Sequence, residues 1–259
     1  MSKSNASAFH WLAIETSTDS MSLAVTRGDQ TWTHTGAGAA QSSPQALPQI
    51  QALMEQAGLQ FSELNAVVFG RGPGAFTGLR TACSLAQGLA FGAGVSVLPL
   101  DTLLAVAEEA RAVLQASAVR ALVVLDARMD QVYSAAYEYA DGAWHEVQAP
   151  LVQSPQDVAP PSAWGAESVA AGNAWDVYAG RWSNHVPAQR LSVGPTAAAL
   201  TRLAIDAWQQ GQAVPPEQAL PLYIRDKVAQ TTDERMQIKM QQSALVAQAM
   251  QAASPTIKL

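Results

Sequence analysis

The chain reads as a mixed α/β protein in two halves, and three observations carry that reading. Short apolar or alternating runs at residues 9–15, 21–27 and 30–35 are joined by tight turns, one of them the hairpin signal Gly28-Asp29. Helical and strand periods then alternate as far as Leu114, giving the order βββαβαβα, which indicates a mixed sheet with helices on its faces. After Ala121 the plan of three strands followed by a helix starts again, less completely, as a weak internal duplication.

Each element has its own warrant. The first strand ends in the hydroxyl-rich turn Thr16-Ser17-Thr18-Asp19-Ser20, and the third alternates polar and aromatic residues as an edge strand does. A small polar loop, 36–44, precedes a helix whose Leu47, Ile50, Met54 and Ala57 share one face and whose stop is Gly58, with Pro48 expected in its first turn. Residues 66–69 form the fourth strand. The junction Gly70-Arg71-Gly72-Pro73-Gly74-Ala75-Phe76-Thr77-Gly78-Leu79-Arg80 follows, leading into a helix over 77–91 with Thr77 at its cap. That helix carries Ala82, Ala86, Gly88, Ala90 and Gly92, which allow another element to approach closely. A fifth strand at 95–98 and a helix at 102–114 complete the first half.

In the second half, 121–125 is a fully apolar strand, 131–139 its alternating partner after the charged turn Asp126-Ala127-Arg128-Met129-Asp130, and 143–152 a third strand after Asp141-Gly142. A Pro/Ser-rich loop, a short strand near 169–173, a helix at 196–210 and an apolar segment at 220–225 that docks back on the body follow. Past Thr232 the composition shifts to Gln, Ala and Met. There Met236, Met240, Ala247 and Met250 can mark a helix face, but a mobile or partner-dependent tail is the plainer reading.

Composition narrows the function. Of 259 residues 49% are hydrophobic and 14% charged, enough for a substantial core. A net charge of −6 and a pI near 5.1 argue against a broad nucleic-acid-binding surface of the chain's own. The one cysteine, Cys83, excludes an internal disulfide and fits a reducing compartment. The polar N-terminus and the lack of a long apolar run lead to the expectation of a cytoplasmic protein without membrane spans.

The candidate chemistry is limited. The glycine junction lacks the Gly-Lys-Ser/Thr of a phosphate loop, and its third glycine, Gly78, is one place late for a dinucleotide fingerprint. A phosphate could be held by backbone N–H groups with Arg71 or Arg80, or by the Thr16-Ser17 turn with Glu15 positioning a hydrated metal; a tight corner is the commoner use of such glycines. His10, His34, His145 and His185 are scattered, with no metal-ligand spacing, and no Gly-x-Ser-x-Gly elbow exists. The Asp126-Arg128-Asp130 turn could be a site, and an ion pair stabilising a hairpin explains it equally well.

Four motifs occur in an order that resembles the TsaB family, also called YeaZ: Ile14-Glu15-Thr16-Ser17-Thr18, the glycine junction 70–80, Asp126-Ala127-Arg128-Met129-Asp130-Gln131-Val132-Tyr133, and Pro221-Leu222-Tyr223-Ile224-Arg225. The resemblance spans about residues 9–230. It implies an actin-like ATPase (ASKHA) fold of two βββαβα-type halves, the second degenerate, with a first domain at 8–105, a reduced second at 106–230 and a tail at 231–259. It also implies a non-catalytic role in the complex that adds threonylcarbamoyl to the adenosine next to the tRNA anticodon. The chain would dimerise with and activate the TsaD-type transferase, the TsaE-type ATPase would join them, TsaC would supply the donor, and tRNA would be met only through the complex.

By the same resemblance the first two helices form the packing surface, with Leu47, Ile50, Met54, Phe76, Thr77, Leu79, Ala82, Cys83, Ala86 and Ala90 as its expected residues. Those helices could also pair two copies of the chain when the partner is absent. Thr16, Ser17, Arg71, Gly72, Gly74 and Arg80 are the candidate nucleotide or anion contacts. No metal, cofactor or catalytic residue is expected, and a stand-alone ATP-binding kinase or ATPase of the same superfamily is the alternative. The chain has Glu15 where many relatives have Asp, Ser42 where they often have His, and Asp130-Gln131 where an acidic residue often precedes Val-Tyr.

Overall fold

Successive strand side chains point to opposite faces, so a strand buried on both faces must be largely apolar. That is the case for β1 (His10–Glu15), whose last five residues are all buried with Glu15 the one polar member, and for β2 (Ser20–Arg27), where only Ser22 and Thr26 among the buried residues are polar. β3 (Gln30–Ala37) alternates exposed and half-buried residues and lies at the sheet edge. The computed structural model describes residues 9–38, 42–164 and 168–225. The polar N-terminal residues, residues 39–41 of the 36–44 loop and the tail past Thr232 with its methionines lie outside the described residues.

The first half continues with α1 (Ser42–Ala57), β4 (Ala66–Gly72), α2 (Phe76–Ala93), β5 (Ser96–Asp101) and α3 (Thr102–Leu114). The second half holds β6 (Val119–Asp126), β7 (Val132–Ala140), β8 (Ala143–Gln153), β9 (Val169–Ala171), α4 (Ala174–Val177), β10 (Gln189–Leu191) and α5 (Ala197–Gln209). The result is a mixed α/β fold with two five-stranded sheets, ordered β3-β2-β1-β4-β5 and β8-β7-β6-β9-β10. The two orders are the same, third-second-first-fourth-fifth. In both sheets the first three strands pair antiparallel and the last two add in parallel.

The first sheet is covered on both sides. Leu12, Ile14, Leu23, Val25, Val67 and Phe69 face α1 and α2, whose Ile50, Met54, Ala82, Cys83, Ala86 and Ala90 fill the layer between. Trp11, Ala13, Ala24, Ala66 and Val68 face the other way, onto Ala197, Leu200, Leu203 and Ala204 of α5. α3 turns Leu103, Val106, Ala107 and Ala110 onto β6, β7 and β9 of the second sheet. A buried carboxylate, Glu108, ties these parts together by bonding Arg111 at 2.7 Å, Arg202 of α5 at 2.7 Å and the Trp144 indole of β8 at 3.0 Å. These donors hold its pKa below the ordinary carboxylate value against the opposing effect of burial, the largest single influence.

Four details differ from the sequence reading. α2 begins at Phe76 with Ala75 at its cap, two residues earlier than a cap at Thr77 would give. α1 begins at Ser42, so Pro48 is interior to it. Its missing amide leaves the Pro44 carbonyl without a helical donor, which is tolerable because both prolines lie on the exposed side. The short α4 and β10 were not expected, since three or four residues carry no period. α5 belongs by sequence to the second half yet packs on the first sheet.

Candidate functional site

The glycine junction sits where β4 leaves the sheet, and its geometry is set by the turn after β1. A Cβ on Gly74 would stand 2.6 Å from the Cβ of Ser17, and one on Gly78 would stand 1.8 Å from the carbonyl oxygen of Thr16. Only glycine permits this contact. The Ala75 amide donates to the Ser17 carbonyl at 2.7 Å, the Thr16 hydroxyl donates to the Gly78 carbonyl at 2.7 Å, and the Gly72 amide donates to Thr102 Oγ1 at 3.2 Å.

A phosphate cradle needs converging N–H groups that are free. Here the Gly72 and Ala75 amides are already taken, and Thr16 and Ser17 are buried beneath the loop. Thr16, Ser17, Gly72 and Gly74 pack together in a strand-to-helix corner that uses the Gly72 and Ala75 amides and the Thr16 hydroxyl internally. Arg71 is engaged as well, its Nε 2.5 Å from Asp101.

Glu15 lies under the same corner, only 1% exposed. It accepts the Ser17 amide at 2.6 Å and the Thr102 hydroxyl at 3.4 Å. Burial pushes its carboxyl above the usual range, with the Ser17 and Thr102 hydrogen bonds pulling back. The Glu side chain reaches so far under β4 that a Cβ on Gly70 would fall 1.8 Å from its Oε2.

The helix face is a correction. Ile50, Met54, Leu79, Ala82, Cys83, Ala86 and Ala90 are all 5% exposed or less, packed on the chain's own sheet, so they are core rather than docking surface. The physical reason is that apolar helical periodicity marks the face already covered. Of the expected surface residues, Leu47, Phe76 and Thr77 are exposed.

The outward face of α2 is formed by Thr77, already among the expected residues, with Thr81, Ser84, Gly88 and, 80% exposed, Phe91. A Cβ on Gly88 or Gly92 would meet nothing within 4 Å. An open groove of about 440 Å³ runs along the first half of this face, lined by Phe76, Thr77, Arg80, Thr81, Ser84 and Leu85. A segment from the far end of the chain borders it. Cys83 Sγ and Gln87 Nε2 both donate to the Ala219 carbonyl, at 3.4 and 2.9 Å, and the Leu222 amide donates to the Arg71 carbonyl at 2.7 Å. Leu220 and Tyr223 of this segment are exposed.

The charged turn after β6 joins the two sheets' turns. Arg128 reaches Asp126 at 3.1 Å and, across the gap, Asp19 at 2.7 Å. Arg128, Met129 and Asp130 all have φ between 55° and 60°, a conformation costly for side-chain-bearing residues. Asp126 holds the turn by accepting the Arg128 amide and the Tyr178 hydroxyl, each at 2.8 Å. Burial, with that acceptor, pushes the Tyr178 phenol up to about 12. Among the described residues no three His, Cys, Asp or Glu side chains gather as a metal site, and no helix is long and apolar enough to cross a membrane.

Residues 37–253 match the family described as TsaD, tRNA N6-adenosine threonylcarbamoyltransferase, which places the chain in that broad class. A tRNA threonylcarbamoyladenosine biosynthesis protein TsaB of Escherichia coli K12 is 32% identical over 222 residues, 84% of this chain and 95% of its own length. The TsaB of Haemophilus influenzae is 30% identical over 226 residues, 84% of this chain and 94% of its own. YeaZ from Pseudomonas aeruginosa superposes with a TM-score of 0.77 at 34% identity, covering 83% of this chain and 99% of that one. A second structure, described as an uncharacterized protein with similarity to peptidase YeaZ from Pseudomonas aeruginosa, gives 0.78 at 36%, covering 84% and 100%. The chain belongs to the TsaB (YeaZ) family of tRNA threonylcarbamoyladenosine biosynthesis proteins.

Proposed function

We propose that this chain is the non-catalytic partner subunit of the complex that adds threonylcarbamoyl to the adenosine beside the tRNA anticodon. It binds and activates a TsaD-type transferase, and a TsaE-type ATPase joins the pair. The fold behind this role is the actin-like ATPase type, a reading supported by the repeated third-second-first-fourth-fifth strand order of the two sheets. The cytoplasm is its place of action.

The observation that carries the proposal is the outward face of α2. Small Thr77, Ser84, Gly88 and Gly92 lie beside exposed Phe76 and Phe91, a combination suited to close helix packing against a protein of related shape. Two further features count against chemistry of the chain's own. The Gly72 and Ala75 amides are bonded internally, and His10, His34 and His145 stand on separate strands with His185 in a turn.

The test is a tRNA modification assay reconstituted with the organism's own TsaD, TsaE and TsaC proteins, omitting one component at a time, alongside co-purification. Loss of product without this chain, together with a stable complex with TsaD, is the expected result. Titration of the isolated chain with ATP and magnesium addresses the kinase or ATPase alternative: turnover there would overturn the proposal.

A further inference from the structure

Arg80 is the one charge in the α2 groove, and it is held in place. Its guanidinium carbon lies 3.7 Å from the Phe76 ring centroid, and its Nε donates to the Tyr223 hydroxyl at 3.3 Å. The Phe76 and Tyr223 rings stand 5.3 Å apart, centroid to centroid. Tyr223 is itself fixed by the segment that runs back along α2, through the Leu222 amide on the Arg71 carbonyl and the Ala219 carbonyl under Cys83 and Gln87. Among the described residues Arg80 has no carboxylate within ion-pair distance. The other groove residues, Phe76, Thr77, Thr81, Ser84 and Leu85, carry no charge.

A guanidinium held on an aromatic face, with its Nε taken and its Nη groups without a hydrogen-bond partner among the described residues, is pre-organised for a bidentate acceptor. On a chain of net charge −6, Arg80 is a cation without an ion-pair partner among the described residues, in a groove whose other side chains are uncharged.

We infer that Arg80 is the specificity contact of the α2 surface, taking a carboxylate of the TsaD-type partner, with Tyr223 as the residue that positions it. This rests on the partner role proposed above. The occupant is a protein segment that fills the groove with an apolar side chain and presents an Asp or Glu to Arg80. A partner carboxylate is favoured over a nucleotide phosphate because two of the neighbouring junction amides, those of Gly72 and Ala75, are bonded elsewhere.

The test titrates the full chain against the same organism's TsaD-type protein by calorimetry at low and high salt, with thermal melts as the folding control. Arg80→Ala should weaken binding about tenfold and Arg80→Glu about a hundredfold, with the wild-type salt dependence reduced in Arg80→Ala. Tyr223→Phe, which keeps the ring and loses the acceptor, should weaken it about threefold. Arg80 is exposed, so all three variants should melt near the wild type. Wild-type binding with Arg80→Glu within about twofold of it would overturn the Arg80 assignment while leaving the partner role standing. No wild-type binding would overturn the partner role itself. Magnesium-ATP binding by the isolated chain that is lost in Arg80→Glu would overturn the carboxylate assignment in favour of a phosphate.

Discussion

Two positions on α2, two residues apart, separate the core from the docking surface. Ala86 is completely buried against the first sheet, whereas Gly88 is exposed and a Cβ there meets nothing within 4 Å. Arginine at each position should give opposite results. Ala86→Arg forces a long cation into a layer filled by Leu12, Val67 and Phe69, at a cost of at least about 4 kcal/mol, a large fraction of the net stability of an ordinary domain. Gly88→Arg adds no clash and replaces the poorest helix former short of proline, a gain of about 0.8 kcal/mol. For a chain of this size that corresponds to a rise in melting temperature of about 2–3 °C.

Circular dichroism melts of the isolated chains, followed by gel filtration with the TsaD-type protein, give both readouts. The Gly88→Arg chain should be folded, slightly more stable and unable to co-elute, because its side chain occupies the space a partner helix needs. An Ala86→Arg chain that melts like the wild type would refute the packing argument. A folded Gly88→Arg chain that still co-elutes would refute the assignment of the outward face.

Other consequences are as direct. Gly78→Ala places a methyl 1.8 Å from the backbone oxygen of buried Thr16, and should cost about 3 kcal/mol in urea unfolding; Gly92→Ala, in open space on the same helix, should gain about 1 kcal/mol. Glu15 has a folded-state pKa raised by burial, so its contribution to stability is full below the ordinary carboxylate range and is lost as pH rises through the raised value. Glu15→Gln should therefore melt higher than the wild type at pH 8 and lose that advantage toward pH 4; a variant less stable than the wild type at pH 8 would count against the burial argument.

Much of the fold was legible because strand and helix periods report burial directly. The alternating run in β3 and the apolar runs of β1 and β6 identified an edge strand and two central ones. The hairpin signals at Gly28-Asp29 and Asp141-Gly142 identified the pairings that the sheets contain. β10 was not legible, because three residues with two exposed carry neither a period nor an apolar run. The site was harder for a related reason. The period of Leu79, Ala82, Cys83, Ala86 and Ala90 identifies a covered face without saying what covers it, and the cover is the chain's own sheet. Ser84 was readable only as the face opposite that stripe, whereas Thr77 and the small Gly88 stood out in the sequence itself. Tyr223 could not be connected to Arg80 at all, since 143 residues separate them.

The return of α5 and the 216–223 segment to the first sheet bears on how the chain is made. Trp11, Ala13 and Val68 gain their second cover from residues around 200, and α2 gains its border from Ala219 and Tyr223. A chain growing from its N-terminus therefore holds an unfinished first sheet, one face bare, until nearly all of the body has been synthesised. Contacts of such sequence separation form late and slowly. The groove is completed last, so that a partner meets a finished surface only on a finished body.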